Sequence, residues 1–329
     1  RDPLWSRGLG DVYKRQIGLQ LAQMIVFQQL NKIFLNAQFY PSLLFNLFEQ
    51  SIQFYLLFRI KNSSYNHSLF LYINWTIKMT QHSLNGKTAI ITGGAKNLGG
   101  LIARKFAEHG ANLVIHYNSA ATLADAEQTL ADVEKLGAKA VLAQADLSDI
   151  QEIDRLFILA KETFGGVDIA INTVGRVLKK PFVDTTEQEF DSMNDVNNKI
   201  AYFFIQSAGK HLNNNGKICS IVTSLLAAYT GLYSTYEGLK APVEHYTRAA
   251  SKEFGERGIS VTAVAPGPMD TPFFYGQEAP EAVAYHKSAA ALGGLTKIED
   301  IEPLVRFLVT DGWWITGQTI FANGGYTTR

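Results

Sequence analysis

The sequence of 329 residues has one cysteine and no net charge, and its first 78 residues contain few acidic groups and few glycines. The single cysteine, Cys219, excludes an internal disulfide framework and a multi-thiolate metal site, so we expect no metal and a cytoplasmic protein. Thirty basic groups balance thirty acidic ones, which leaves no general attraction for nucleic acid or anionic lipid. We therefore expect neither nucleic acid nor a membrane as a partner.

Composition divides the chain near Met79. Residues 1–78 carry 8 basic groups, 3 acidic groups and 3 glycines, whereas residues 79–329 carry 22, 27 and 24. The stretch 11–16 resembles a translated sequencing adaptor, and Met79 opens an ordinary start. We interpret residues 1–78 as a non-native leader that is disordered or unpacked, and residues 79–329 as the folded domain. The alternative is a membrane anchor or targeting segment, although no uncharged run within residues 1–78 exceeds 16 residues.

Beyond Met79, short β-branched runs alternate with longer amphipathic stretches. This alternation predicts an α/β protein, a single doubly wound Rossmann-type domain with a parallel seven-stranded sheet. A helix over Leu98–His109 is expected to end at Gly110, since glycine is a common helix stop. The predicted strands are Thr88–Thr92, Asn112–Tyr117, Lys139–Ala145, Val167–Thr173, Gly216–Thr223, Ser260–Pro266 and Thr319–Ala322.

A glycine-rich turn, Thr92 to Gly99, follows the first predicted strand and opens the first predicted helix. Small residues such as Gly93 and Gly99 let the backbone approach a pyrophosphate, and a helix N-terminus offers that group unpaired N–H donors. The alternative is a plain tight turn. Asn97 stands where a third glycine is usual, and asparagine tolerates the left-handed backbone that such a turn requires.

Several further motifs occur in the order typical of one family, and together with the glycine turn the sequence resembles a short-chain dehydrogenase/reductase over essentially all of residues 79–329. The resemblance implies an NAD(P)-dependent oxidoreductase that transfers hydride between the nicotinamide and a carbonyl or alcohol substrate. The motifs are Asp146-Leu147, Asn172 to Gly175, Asp195 to Asn197, Thr223-Ser224, Tyr236 to Lys240, Pro266 to Thr271, Thr316 to Gln318 and Asn323 to Gly325.

Tyr236 and Lys240 lie four residues apart, so a helix places them on one face. We expect the ammonium to lower the pKa of the phenol toward working pH, which suits a general acid or base. Ser224, twelve residues before Tyr236, is the expected donor to the substrate oxygen, with Thr223 left open. The resemblance implies that Lys240 holds the nicotinamide ribose and that Asn197 anchors a proton relay. The alternatives are a packing aromatic, a solvated lysine and a helix-bracing asparagine.

The predicted end of the second strand carries His116 to Ser119 and no carboxylate that could accept from the ribose hydroxyl of NAD. Lys96 is placed to neutralise a 2′-phosphate, with Ser119 as a possible donor, so we favour NADP(H) without excluding NAD(H). The alternative for Lys96 is an exposed loop lysine. Predicted cofactor-binding residues, in part implied by the resemblance, are Gly93, Lys96, Asn97, Leu98, Gly99, Asn118, Ser119, Asp146, Leu147, Asn172, Tyr236, Lys240, Pro266, Gly267, Met269 and Thr271.

The resemblance implies that residues 272–297 choose the substrate, and their aromatic residues predict an apolar lid over a hydrophobic or aromatic carbonyl compound. These are Phe273, Phe274, Tyr275, Tyr285 and His286, which could equally pack the lid onto the body. We therefore predict a ketone reductase. A redox-inactive dinucleotide-binding regulator and a nucleotide-sugar epimerase or dehydratase remain as alternatives, and an enoyl reductase is expected to space its tyrosine and lysine more widely. The resemblance also implies a homodimer or homotetramer.

Overall fold

Seven parallel strands form the central sheet of the computed structural model, which describes residues 82–328. The interpretation of residues 1–78 as a leader lies outside the described residues. The sheet confirms the predicted fold class, and each predicted strand is found with ends that differ by at most a few residues. The strands are β1 Thr88–Thr92, β2 Asn112–Tyr117, β3 Ala140–Gln144, β4 Ile169–Asn172, β5 Lys217–Ile221, β6 Ser260–Pro266 and β7 Gln318–Ala322.

The four central strands are buried along their whole length. Such strands read as continuous apolar runs because helices cover both faces of a parallel sheet. The helices are α1 Asn97–Glu108, α2 Leu123–Lys135, α3 Ile150–Phe164, α4 Glu187–Asn194, α5 Ile200–His211, α6 Ser234–Glu253, α7 Pro272–Tyr275, α8 Pro280–Ala289 and α9 Ile298–Val309. Within residues 82–328, none of them is long and apolar enough to cross a bilayer.

Two apolar cores lie on opposite faces of the sheet. On one face α1 and α9 pack together, with Leu98, Ile102 and Phe106 of α1 spaced four apart and almost completely buried. On the other face α3 packs against α5, where Phe157 meets Phe204 at 5.5 Å between ring centroids. The first helix therefore has its predicted buried stripe, and it ends before Gly110, whose φ of +81° suits a helix stop.

The strand order is β3-β2-β1-β4-β5-β6-β7. The chain leaves β1 toward one edge of the sheet and returns to β4 on the other side of β1, so the connections after these two strands diverge. In open parallel sheets, ligands bind in the crevice beyond the carboxyl ends of the strands at this switch point. The loops that follow β1 and β4 are therefore the place to look for a site.

Candidate active site

The glycine-rich turn after β1 packs closely against the start of α1. A Cβ atom on Gly99 would lie 2.2 Å from the carbonyl oxygen of Gly93, so the helix approaches the turn as only glycine allows. Asn97 adopts a positive φ of 48°, which asparagine tolerates better than most residues. Lys96 caps α1 without a side-chain hydrogen bond, which leaves first-turn N–H groups available to an anion.

His116, at the end of β2, holds this turn in place. Its Nδ1 accepts from the Gly93 N–H at 3.1 Å, and its Nε2 donates to the Ala145 carbonyl at 2.9 Å. Burial lowers the pKa of His116 to about 4, so the ring stays neutral and can accept on one side and donate on the other. The sequence analysis noted His116 only as part of a segment without a carboxylate and missed this role.

A cleft of about 1420 Å³, including its mouth, opens beyond the ends of β1 and β4. Of the predicted cofactor residues, its wall includes Gly93, Lys96, Asn97, Leu98, Gly99, Asn118, Asp146, Leu147, Tyr236, Lys240, Met269 and Thr271. Ser119 is half-buried outside that wall. Pro266 and Gly267 line an adjoining cavity instead.

Lys96 does not stand free at the mouth of this cleft. Its Nζ pairs with Asp125 Oδ2 of α2 at 2.7 Å, and both side chains are about half exposed. At the end of β3, Asp146 accepts from the backbone and the hydroxyl of Ser148, and these hydrogen bonds lower the pKa of its carboxyl below the usual value. Lys96 and Asp146 thus bring a cation and a carboxylate to the cleft from separate strand ends.

Asn172 does not line the cleft, contrary to the expectation that it lies along a ribose. Its side chain is 2 % exposed, and Oδ1 accepts from the Thr92 hydroxyl at 2.8 Å and from Val174 N–H at 3.1 Å. The amide therefore ties β1 to β4 at the switch point. The three residues that follow it, Thr173 to Gly175, form the wall in its place.

Tyr236 and Lys240 both lie on α6 and line the cleft, as their spacing predicts. Lys240 Nζ donates to the carbonyl oxygens of Val174 at 2.9 Å and Ile221 at 3.1 Å, and burial lowers its pKa to about 8. Burial also raises the pKa of Tyr236 to about 12, with the Thr223 hydroxyl opposing the rise. The structure thus does not show the expected lowering of the phenol pKa, because burial raises it more than the Thr223 hydroxyl lowers it.

Thr223, rather than Ser224, presents its hydroxyl to Tyr236. The Thr223 hydroxyl lies near enough to the Tyr236 phenol to oppose the rise of its pKa, whereas Ser224 is 1 % exposed and its Oγ donates to the Ala265 carbonyl at 3.1 Å. Ser224 Oγ also accepts from Asn323 Nδ2 at 3.0 Å. Ser224 lines the adjoining cavity as Thr223 does, but its proton is already donated inside the fold, so Thr223, which spacing left open, becomes the proposed donor to the substrate oxygen.

Asn197 is fully buried in a π-helical turn, Asp195–Lys199, that joins α4 to α5. Its Oδ1 accepts from the Arg176 N–H at 3.0 Å and its Nδ2 donates to the Arg176 carbonyl at 2.9 Å. A Cβ atom on Gly175 would lie 3.3 Å from Asn197 Oδ1 and 3.2 Å from Lys240 Nζ. Asn197 thus braces the loop beside Lys240 and does not itself line the cleft.

A second cavity of about 700 Å³ adjoins the cleft, and Tyr236 lines both. Phe273, Phe274 and His286 of the predicted lid contribute to its wall, whereas Tyr275 and Tyr285 are 43 % and 65 % exposed. Sequence motifs did not predict several further wall residues, which only the fold brings together. They include Val177, Leu225, Thr230, Tyr233, Gln277 and Tyr326.

The basic cluster after β4 is paired with nearby groups. Lys179 pairs with Glu278 at 2.6 Å, Lys180 pairs with Glu189 at 2.8 Å, and the Arg176 guanidinium donates to Ser192. The carboxyl of Glu189 has its pKa lowered to about 2 by the hydrogen bond from Lys180. This cluster is accordingly part of the local structure around the site.

The residues of the cleft fit a dinucleotide. The turn at Gly93 and Gly99 exposes backbone N–H groups at a helix N-terminus for a pyrophosphate, and Gly175 leaves open space beside the Lys240 ammonium. Where the cleft meets the apolar cavity, the Tyr236 phenol is positioned to exchange a proton with a small molecule.

Comparison with known proteins agrees with this geometry. Residues 93–327 match the family model described as enoyl-(acyl carrier protein) reductase. The hydroxynaphthalene reductase-like protein Arp2 of Metarhizium anisopliae is 34 % identical over 76 % of this chain and 98 % of its own. A short-chain type dehydrogenase/reductase of Picea abies is 33 % identical over 74 % and 93 %.

Solved structures show the same fold. A dehydrogenase from Burkholderia cenocepacia with bound NADP is 62 % identical, covering 75 % of this chain and 96 % of its own, with a TM-score of 0.74. The angucycline C-6 ketoreductase LanV with bound NADP is 30 % identical over 74 % and 96 %, with a TM-score of 0.69. The chain therefore belongs to the short-chain dehydrogenase/reductase family of oxidoreductases.

Proposed function

We propose that this protein is an NADPH-dependent ketone reductase whose substrate is an apolar or aromatic carbonyl compound. The observation that carries the proposal is the position of Tyr236, which lines both the dinucleotide-sized cleft and the adjoining apolar cavity. A carbonyl group in the cavity reaches the same phenol that faces the cleft. Both relatives and solved neighbours support a reductase, through a hydroxynaphthalene reductase-like protein and a ketoreductase.

The nicotinamide, when bound, supplies the hydride for the carbonyl carbon. Tyr236 donates its proton to the carbonyl oxygen, and a pKa of about 12 keeps that proton on the phenol at neutral pH until it is needed. Lys240, with a pKa of about 8, is an ammonium at pH 7 and favours the phenolate left behind. The Thr223 hydroxyl is placed to donate to the carbonyl oxygen as negative charge develops there.

We propose that Lys96 recognises the adenosine 2′-phosphate of NADPH. In the structure its partner is Asp125, so a bound phosphate has to compete with that carboxylate. We expect Lys96→Ala to raise the KM for NADPH by roughly tenfold and to leave the KM for NADH nearly unchanged. Asp125→Asn is the matched variant, and it should lower the KM for NADPH. Equal effects of Lys96→Ala on the two cofactors would contradict the assignment.

Three other functions are distinguishable from ketone reduction. The family model's description favours an enoyl reductase, but Tyr236 and Lys240 are only four residues apart on one helix. A redox-inactive regulator needs the cleft alone, whereas here Tyr236 and Lys240 line the cleft and Thr223 lines the adjoining cavity with Tyr236. An epimerase or dehydratase on a nucleotide sugar needs a larger substrate domain than the two short lid helices α7 and α8.

The deciding experiment follows NADPH absorbance with a panel of bicyclic aromatic ketones, aliphatic ketones, sugar carbonyls and an enoyl thioester. The proposal predicts oxidation of NADPH with aromatic ketones and loss of at least ~100-fold in kcat for Tyr236→Phe. Turnover of the enoyl thioester alone would assign the enoyl reductase function. Tight NADPH binding with turnover of no compound would favour the regulator.

For assembly we propose a homodimer or homotetramer formed through α5 and α6. Tyr202 of α5 is 45 % exposed and packs edge-on against Tyr246 of α6 at 5.1 Å between ring centroids, which leaves aromatic surface on these helices. Light scattering should give a multiple of the chain mass, and Tyr202→Glu should reduce that mass. A monomer at micromolar concentration would contradict this proposal.

A further inference from the structure

A buried polar cluster lies in the wall of the apolar cavity, outside the proposed proton-transfer residues. Its centre is Glu278, whose side chain is 0 % exposed. Glu278 Oε2 pairs with Lys179 Nζ at 2.6 Å and lies 3.8 Å from His286 Nε2. The Tyr233 hydroxyl donates to Glu278 Oε1, and the Lys179 ammonium lies 5.5 Å from the centroid of the Tyr233 ring. The cluster is completed by Tyr326, whose hydroxyl is 2.8 Å from His286 Nδ1.

The direction of each hydrogen bond in the cluster follows from the carboxylate. An ionised carboxylate can only accept, so Tyr233 donates to it. His286 Nε2, at 3.8 Å, is beyond hydrogen-bond distance from Glu278, but the negative charge there favours the tautomer with its proton on that nitrogen. Burial is the largest cause that lowers the pKa of His286 below its usual value, so the ring is neutral at pH 7. With the proton on Nε2, Nδ1 is left as an acceptor, and Tyr326 donates to it.

Two phenol oxygens in the cavity wall therefore share one property. Tyr233 and Tyr326 both line the cavity. Tyr233 donates its hydroxyl proton to Glu278 and Tyr326 donates its own to His286, so neither proton is directed into the cavity. The lone pairs that remain on these oxygens can accept hydrogen bonds. The neighbouring wall is largely apolar, with residues such as Val177, Phe273 and Phe274, so a donor on the substrate finds few competing partners there.

We propose that Tyr233 and Tyr326 select substrates that carry a hydroxyl group, phenolic or alcoholic, in addition to the reacting carbonyl, by accepting a hydrogen bond from it. Glu278 and His286 act as positioning residues that keep both phenol oxygens in the accepting state. The inference rests on the proposed function, since it names a feature of the ketone that Tyr236 protonates. It narrows the substrate class from aromatic ketones to hydroxylated aromatic ketones.

Binding to the protein loaded with NADP⁺ tests the inference without any need for turnover. The probes are 1-tetralone and its phenolic positional isomers, titrated by calorimetry. We expect at least one isomer to bind about threefold to tenfold more tightly than 1-tetralone, as one net hydrogen bond allows. Tyr326→Phe should weaken the preference, and the double variant Tyr233→Phe with Tyr326→Phe should abolish it for every isomer.

Tyr285→Phe is the matched control, because it removes a phenol hydroxyl from the lid formed by residues 272–297. Tyr285 is 65 % exposed and does not line the cavity. This control should keep the preference, and all variants should keep their affinity for NADP⁺. If the double variant is unstable, the binding preference measured for Tyr326→Phe alone decides whether the inference holds. Isomers that bind no better than 1-tetralone, or a preference unchanged in Tyr326→Phe, overturn this inference alone. Failure of every ketone to bind overturns the proposed function together with it.

Discussion

At the scale of single residues, the structure distinguishes the roles of two neighbouring hydroxyl groups that sequence spacing could not tell apart. Thr223 and Ser224 precede Tyr236 by thirteen and twelve residues, and either could serve as a donor. In the structure, the Thr223 hydroxyl meets the Tyr236 phenol, while the Ser224 hydroxyl bridges Ala265 and Asn323 inside the fold. Both residues line the cavity, and the difference between their hydroxyl partners arises at the 3₁₀ turn Ser224–Ala227, which no motif predicted.

This difference predicts a mainly kinetic effect for substitution of Thr223 and a mainly structural effect for substitution of Ser224. Thr223→Val should lower kcat/KM for ketone reduction by about 100-fold, because it removes a donor to the developing oxyanion. It should also cost about 1 kcal/mol of stability, because the same hydroxyl accepts from the Leu225 N–H at 3.2 Å. Ser224→Ala should lower the free energy of unfolding by about 1–3 kcal/mol, since it leaves a buried amide of Asn323 short of a partner. Steady-state kinetics and chemical unfolding of both variants check the pair.

Thr223→Ser is the conservative control and should restore most of the activity that Thr223→Val loses. A larger kinetic loss in Ser224→Ala than in Thr223→Val would return the donor role to Ser224.

The pKa of Tyr236 is a second property that residue spacing alone did not predict. Four residues of separation correctly placed Lys240 on the same helix face, so an effect of charge could be anticipated. The dominant effect is burial, which raises the phenol pKa, and burial depends on residues far away in the chain. For the same reason the buried carboxylate of Glu278 was not anticipated, because its partners lie up to 99 residues away.

At the scale of elements, sequence patterning located every strand of the sheet and the first helix. Strand ends were less certain: β4 was expected over Val167–Thr173 and is found over Ile169–Asn172. Apolar periodicity reports burial, while the end of a strand is set by hydrogen bonds to its neighbours. The residue that closes β4, Asn172, was assigned to the cofactor because the family resemblance implies it, and its side chain ties β4 to β1.

The contact between the glycine turn and α1 gives a prediction about helix placement. Gly99→Ala should push α1 away from Gly93, because the new Cβ would lie 2.2 Å from a carbonyl oxygen. We expect a loss of stability of about 1–3 kcal/mol and at least a tenfold loss of NADPH affinity. Protein fluorescence during an NADPH titration and a thermal melt measure the two quantities.

Gly238→Ala in α6 is the control for this substitution, since a Cβ at Gly238 meets no atom within 4 Å. It should stabilise the protein by about 0.5–1 kcal/mol through the greater helix propensity of alanine. If Gly99→Ala behaves like Gly238→Ala, the close contact is not what positions the helix.

At the scale of the whole molecule, the neutral His116 makes folding sensitive to acid. Its pKa is about 4 in the folded protein and about 6.5 when unfolded, so between these values the unfolded chain binds more protons. Stability contributed by this group is full above pH 6.5 and is lost as the pH falls toward 4. We expect a loss of about 2 kcal/mol between pH 7 and pH 5 from His116 alone.

The measurement is guanidinium unfolding at both pH values, for the wild-type protein and for His116→Gln, which can keep one donor and one acceptor. The difference between the two pH values should be about 2 kcal/mol smaller in the variant. Equal differences in the two proteins would show that His116 takes up a proton in the folded state as readily as in the unfolded state.

The wall of the cleft is formed by several chain segments between Gly93 and Phe273. These segments are adjacent only in the complete fold. A nucleotide held there binds the native state and not the unfolded chain, so at one hundred times its dissociation constant it adds about 2.7 kcal/mol to the free energy of unfolding. Melting temperature should accordingly climb with NADPH concentration. The lifetime of this protein inside a cell is thereby tied to the supply of reducing nucleotide, and starvation for that nucleotide would expose the chain to proteolysis.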